Sequence, residues 1–82
     1  MNMNANKKML GKERRQFIVD TLRSFTEPLT GRALGEMTNV TRQVIVSDIT
    51  LLKAKNEPII ATSQGYIYLD VQMIRTDELI KL

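Results

Sequence analysis

The apolar residues of this chain change their spacing once, at Pro58, and that change narrows the folds open to it. Ahead of Pro58 they recur every three or four residues, the period of a helix with one buried face. Behind it, Ile59-Ile60-Ala61-Thr62 and Tyr66-Ile67-Tyr68-Leu69 are rich in β-branched and aromatic side chains. Ser63-Gln64-Gly65 lies between those runs, with a glycine able to take positive φ, so they read as a β-hairpin.

The helical part divides at its breakers. A first helix is expected from about Lys12 to Phe25, with Ile18, Leu22 and Phe25 on its apolar stripe. Glu27-Pro28 ends it, because proline cannot continue the hydrogen-bond ladder and disfavours helix in the residue before it. Leu29 is then free to form a short extended piece into the core. Thr30 suits the N-cap of a second helix, about Gly31 to Met37, with Leu34 and Met37 facing inward. Asn39 tolerates the left-handed conformation of a turn, and Val40 is expected as a buried plug. Thr41 then caps a third helix, about Arg42 to Lys55, whose inner stripe is Ile45, Ile49 and Leu52. Asn56 suits the reversal at its end. The order helix, short strand, helix, helix, hairpin is that of an α+β winged helix–turn–helix, three helices followed by a β-hairpin wing. Residues 12–69 are expected to form this domain. Residues 1–11 are expected as a flexible N-terminal segment, Met1–Lys8 being polar and Asn-rich. Residues 70–82 are expected as a tail or a linker toward a missing effector domain. Val71, Met73, Ile74, Leu79 and Ile80 make that tail more apolar than a free one, which suggests packing on the first helix or on a second copy.

With 82 residues, 43% hydrophobic and 26% charged, the chain is one ordinary globular domain with a small core. It has neither cysteine nor histidine. No disulfide, thiolate site or transition-metal site is therefore expected, and no cofactor in this chain. No apolar run approaches the ~20 residues of a membrane span and no signal peptide is visible, so a cytoplasmic protein with no membrane partner is expected. Without histidine, cysteine, a phosphate-cradling glycine loop or a carboxylate pair in an apolar pocket, an enzyme is not expected. The net charge of +3 comes from 12 Lys+Arg against 9 Asp+Glu. Beyond Leu69 only Arg75 and Lys81 oppose Asp70, Asp77 and Glu78, so the first part of the chain is the more basic.

The short connection between the second and third helices forces them to cross steeply, which needs a small residue where the backbones meet. Gly35 is that residue, with Asn39 and Ile45 as turn-former and apolar anchor. These positions fit a DNA-binding helix–turn–helix or a plain αα corner, and the hairpin that follows favours DNA. On the third helix Gln43, Ser47 and Thr50 point away from the apolar stripe, with Val46 at the edge and Arg42 at the exposed N-terminus. Small and amide side chains let a helix sit deep in a major groove. Gln can bond adenine, Arg can bond guanine and a Val methyl can meet the thymine methyl. Val44 and Leu51 lie on a flank and are expected under the hairpin. Phosphate contacts are expected from Thr30, from the backbone N–H groups of Gly31 and Arg32, from the Arg32 charge, and from Ser63 and Gln64 on the wing. Lys53 and Lys55 are weaker candidates, and Tyr66 and Tyr68 are expected mainly as packing. A winged helix used for protein–protein contact, or one that binds RNA, stays open as an alternative.

Pro28-Leu29-Thr30-Gly31, Val40-Thr41-Arg42-Gln43-Val44-Ile45-Val46-Ser47-Asp48-Ile49, Pro58-Ile59-Ile60-Ala61-Thr62 and Gly65-Tyr66 together resemble one family, the nicotinate-responsive transcription repressors of NAD biosynthesis. Their N-terminal winged helix belongs to the group shared with biotin-operon repressors. The resemblance covers about Lys12 to Leu69, and the run from Arg42 to Val46 with Asp48-Ile49 is its most specific part. It implies a bacterial repressor that binds a double-stranded DNA operator. It carries a DNA-contact role to Thr41, Arg42, Gln43, Ser47 and Arg32. It also implies a homodimer that senses nicotinic acid through a C-terminal, metal-binding domain named for three histidines. This chain has no histidine and no room for that domain, so no ligand or metal residue is carried over. A monomer or weak dimer is the expectation for this chain. Gly35 stands where an alanine is common in the family, and Asn56-Glu57 where a glycine is common, and both are expected to lower local stability.

Overall fold

The structure is a computed structural model that describes residues 9–69. The expectations for Met1–Lys8 and for the tail after Leu69 lie outside the described residues. Three helices, α1 (Gly11–Ser24), α2 (Gly31–Thr38) and α3 (Arg42–Ala54), precede two strands, β1 (Ile59–Thr62) and β2 (Gly65–Tyr68). This is the winged helix–turn–helix order. The strands pair antiparallel, Ile59 opposite Tyr68 and Thr62 opposite Gly65. Leu29 adds a third, single-residue rung beside Tyr66. Its N–H donates to the Tyr66 carbonyl at 3.0 Å and its carbonyl accepts from the Tyr66 N–H at 2.7 Å. The extended piece expected between α1 and α2 is thus the rung that fixes the hairpin to the helices.

Ile18, Val19 and Leu22 of α1, Leu34 of α2, Ile45, Ile49 and Leu52 of α3, and Ile59 of β1 form the core. Leu29, Val40, Tyr66 and Tyr68 pack against it half-buried, so Val40 plugs the corner without being sealed in it. Three apolar residues depart from expectation. Phe25 is 49% exposed, because α1 ends at Ser24 and Phe25 is extended (φ −90°, ψ 140°), which turns its side chain off the helical stripe. Met37 is 43% exposed. The buried stripe of α2 is instead Gly31, Leu34, Gly35 and Thr38, a helical repeat made mostly of small residues. Leu51 is 47% exposed and does not lie under the hairpin. The other boundaries shift by one residue. α1 starts at Gly11, α2 runs on to Thr38, α3 stops at Ala54 with Lys55 as its cap, and β2 starts at Gly65.

The buried stripe of α1 also holds a charge. Arg14 hydrogen-bonds Asp48 of α3 with two of the three nitrogens of its guanidinium, Nε to Oδ2 and Nη2 to Oδ1 at 3.1 Å. Arg15 Nη1 reaches the same Oδ1 at 3.2 Å. The remaining arm of Arg14 donates to the Met9 carbonyl at 2.7 Å, and the Met9 N–H donates to the Thr38 carbonyl at 3.2 Å. Side-chain exposure is 11% for Arg14 and 3% for Asp48, so the pair is largely out of water. Its hydrogen bond to Asp48 raises the Arg14 pKa, burial works against that, and the carboxylate charge adds to it. The guanidinium is therefore held in its charged form.

Candidate nucleic-acid interface

The turn between α2 and α3 is built by local chemistry. Asn39 adopts the left-handed conformation (φ 60°, ψ 42°) and closes α2 by donating its N–H to the Gly35 carbonyl. The Val40 N–H donates to the same carbonyl at 2.9 Å. A Cβ on Gly35 would stand 2.8 Å from the Val40 carbonyl oxygen, nearer than real Cβ atoms come. The absence of a side chain there is what lets the turn fold back so tightly. Thr30 Oγ1 accepts from the Ala33 N–H at 3.0 Å and Thr41 Oγ1 from the Val44 N–H at 3.3 Å, so both threonines cap their helices. An Oγ that accepts an N–H keeps its own proton to donate, which suits a phosphate oxygen.

Once α3 is docked by Ile45, Ile49 and Leu52, its outer side is fixed. Thr41, Arg42, Gln43, Val46, Ser47 and Thr50 are all exposed. The Thr50 hydroxyl donates to the Val46 carbonyl at 3.0 Å, which leaves it an acceptor for a base amino group rather than a donor. Val46 and Leu51 are the exposed large apolar groups of α3 and flank this polar strip. No aromatic side chain belongs to α3.

The phosphate candidates converge elsewhere. Thr30, Gly31, Arg32, Arg42, Ser63 and Gln64 line one open cleft of about 320 Å³ between the N-terminus of α2 and the wing. Gln43, Val46, Ser47 and Thr50 do not line it. Arg42 belongs to both surfaces: its Cγ lies 3.3 Å from where a Cβ on Gly31 would be. Gly31 itself is buried beneath the Arg42 stem and the Tyr66 ring. Arg32 pairs with Glu36 one turn on, at 3.5 Å and in solvent, an interaction weak enough to yield to a stronger anion. The wing turn is Ser63-Gln64 alone, with neither residue at positive φ; the reversal is completed at Gly65 (φ 136°). Thr62 Oγ1 braces it, accepting from the Gln64 N–H at 3.1 Å and donating to the Gly65 carbonyl at 2.7 Å.

Sequence reasoning expected Tyr66 mainly as packing and missed it as a wall of this cleft, because alternation with Ile67 does not say which of the two faces the helices. It also missed the Arg14–Asp48 pair, for which nothing in the local pattern gave a signal. A second depression, about 640 Å³, runs along α1 between Met9 and Asp20 and shares no residue with the cleft. Among the described residues no group of three or more acidic side chains is placed to hold a metal ion, and no helix is long and apolar enough to cross a membrane.

Comparison with known proteins agrees with this geometry. The chain is 54% identical over 68 residues to the transcription repressor NadR of Bacillus subtilis, covering 83% of this chain and 38% of that protein. It is 42% identical over 60 residues to the probable transcription repressor NiaR of Thermotoga maritima, covering 73% of this chain and 34% of that protein. The chain thus spans well under half the length of these relatives. A family described as "HTH domain" matches residues 14–67, from the paired arginine of α1 to the penultimate residue of β2. The chain belongs to this helix–turn–helix domain family.

Proposed function

We propose that the chain is the operator-reading part of a bacterial transcription repressor that controls genes of NAD and nicotinate metabolism. One observation carries the reading: a capped helix presents an exposed, uncharged polar strip (Gln43, Ser47, Thr50) beside a cleft that gathers Arg32, Arg42, a helix N-terminus and the wing turn. The strip is of the kind that reads base edges, and the cleft is of the kind that grips phosphates. The family match and the likeness to two repressors support the same reading. It is the role of a regulator rather than an enzyme, exercised where the chromosome is.

Base contacts fall to Thr41, Arg42, Gln43, Val46, Ser47 and Thr50, and phosphate contacts to Thr30, Gly31, Arg32, Ser63 and Gln64. The two roles leave different signatures. Losing a base contact costs roughly 1–3 kcal/mol on the operator and relaxes preference at one position. Losing a phosphate contact weakens all sequences about equally and lowers the salt slope by about one unit. Salt titrations on the promoter upstream of the chain's own gene and on random DNA separate them. Gln43→Ala should weaken operator binding and spare random DNA. Arg32→Ala should weaken both and flatten the salt dependence. A folded Gln43→Ala variant that binds the promoter like wild type would remove α3 as the reader. Nicotinic acid sensing is assigned to a C-terminal domain outside this chain, so calorimetry should give no saturable nicotinic acid binding here. The 82-residue chain should sediment as a monomer or weak dimer at micromolar concentration.

A further inference from the structure

The geometry points to Arg14 and Asp48 as positioning residues that set the rotation of α3 about its own axis, and through it the choice of DNA sequence. The inference rests on the DNA-reading proposal above. Asp48 follows Ser47 directly, and its side chain leaves α3 about 100° round the helix from that residue. Three aliphatic side chains, Ile45, Ile49 and Leu52, hold the rest of the buried face. The hydrophobic effect is non-directional, so these side chains fix the rotation of α3 only through the fit of their shapes, with no bond aimed at one orientation. The fork of Arg14 on the two oxygens of Asp48 is directional at two points, and its far arm is anchored on the Met9 backbone.

The size of the effect follows from the helix itself. Side-chain tips lie about 5–6 Å from the axis, so a turn of about 10° moves them by about 1 Å. The useful range of hydrogen-bond lengths is only about 0.5 Å wide. A rotation too small to unfold anything would therefore pull Gln43 and Ser47 out of register with base edges. Of the α2–wing cleft, Thr30, Gly31, Arg32, Ser63 and Gln64 lie on other elements, so their phosphate contacts would be spared; Arg42 alone among the named cleft residues would turn with α3. Stability alone is a poor reason for this pair. Exchanging a buried ion pair for apolar residues of similar size is often neutral or stabilising, whereas removing one partner is costly.

The test is the double variant Arg14→Met/Asp48→Leu in the 82-residue chain, with Arg14→Lys beside it. Arg14→Lys keeps the charge and loses the two-point fork. Each is melted, then titrated on the promoter upstream of the chain's own gene and on random DNA. The expected result is a double variant that still folds cooperatively, its midpoint lowered only by what Arg15 and the Met9 carbonyl lose, and that binds random DNA as before. Its promoter-to-random ratio should fall about tenfold, the loss of roughly one base contact. Arg14→Lys should fall between it and wild type. An unchanged ratio in a folded variant overturns the inference, and so does an equal loss on both DNAs. If the double variant does not fold, the ratio of Arg14→Lys decides in the same sense. A wild-type chain with no preference for the promoter overturns the DNA-reading proposal and this inference with it. A wild-type preference that both variants keep overturns this inference alone.

Discussion

Replacing Gly65 by alanine should detach the wing from the helices. Gly65 has φ 136°, outside the range that side-chain-bearing residues adopt, which costs about 1–3 kcal/mol. The added Cβ would also stand 2.6 Å from the Leu29 carbonyl carbon, 2.7 Å from its oxygen and 3.0 Å from its nitrogen. All three are backbone atoms, so no flexible side chain can give way. Relief requires Leu29 to move, and Leu29 holds Tyr66 by two hydrogen bonds worth about 0.5–1.5 kcal/mol each. Together these effects amount to roughly 2–6 kcal/mol. A domain of this size has only about 3–9 kcal/mol in total, at roughly 0.05–0.15 kcal/mol per residue. The melting midpoint, followed by far-ultraviolet circular dichroism, should drop by at least about 8 °C. Hydrogen exchange at the Leu29 and Tyr66 amides should accelerate more than at Ile45 and Ile49. A midpoint within about 2 °C of wild type, with those amides still protected, would refute the claim that backbone proximity demands glycine here.

Three smaller perturbations test other parts of the account. Ile45→Ala removes a fully buried core side chain of α3 and should cost about 2–5 kcal/mol in urea unfolding, the range for core truncations. Asn56 sits at φ 72°, so Asn56→Gly should raise the urea midpoint by the equivalent of roughly 0.5–1 kcal/mol at unchanged slope. Thr30→Ala deletes the cap on Ala33 and should cost about 1 kcal/mol, readable as a lower melting midpoint.

The helix boundaries and the hairpin were legible because each ends on a residue with its own local rule: Pro28 and Pro58, the capping threonines Thr30 and Thr41, Asn39 and Gly65. The buried face of α2 was not. Gly31, Gly35 and Thr38 carry little hydrophobicity, so a search for large apolar residues picks Met37, which faces water. Thr38 can be buried because its hydroxyl donates to the Leu34 carbonyl at 2.8 Å, leaving no orphan polar atom. Phe25 was misplaced because the helical period was extended one residue past the helix. The Arg14–Asp48 pair was invisible for a deeper reason. Each residue looks like a solvated surface charge until a partner 34 positions away is brought beside it, and local patterning has no term for that. The candidate interface was more readable. The N-cap and wing residues gathered in the cleft are those whose types suited anions, while the wall formed by Tyr66 depends on the tertiary rung to Leu29.

That rung also bears on how the domain assembles. It joins Leu29 to Tyr66, and the chain between them contains α2, its turn, α3 and β1. Closing a flexible loop of that length would cost about 3 kcal/mol in chain entropy, too much for two hydrogen bonds to carry at the outset. The cost shrinks once the intervening helices have folded and shortened the effective loop. The rung therefore belongs to the last events of folding and contributes little to the rate-limiting barrier. Contacts absent from a transition state act on escape from the native basin rather than entry into it. In a chevron experiment, substitutions at Leu29 or Gly65 should steepen nothing on the refolding limb and lift the unfolding limb. How long the wing stays seated on the helices is then a matter of unfolding rate, to which an uncharged backbone rung contributes alongside the packing of Ile59, Tyr66 and Tyr68.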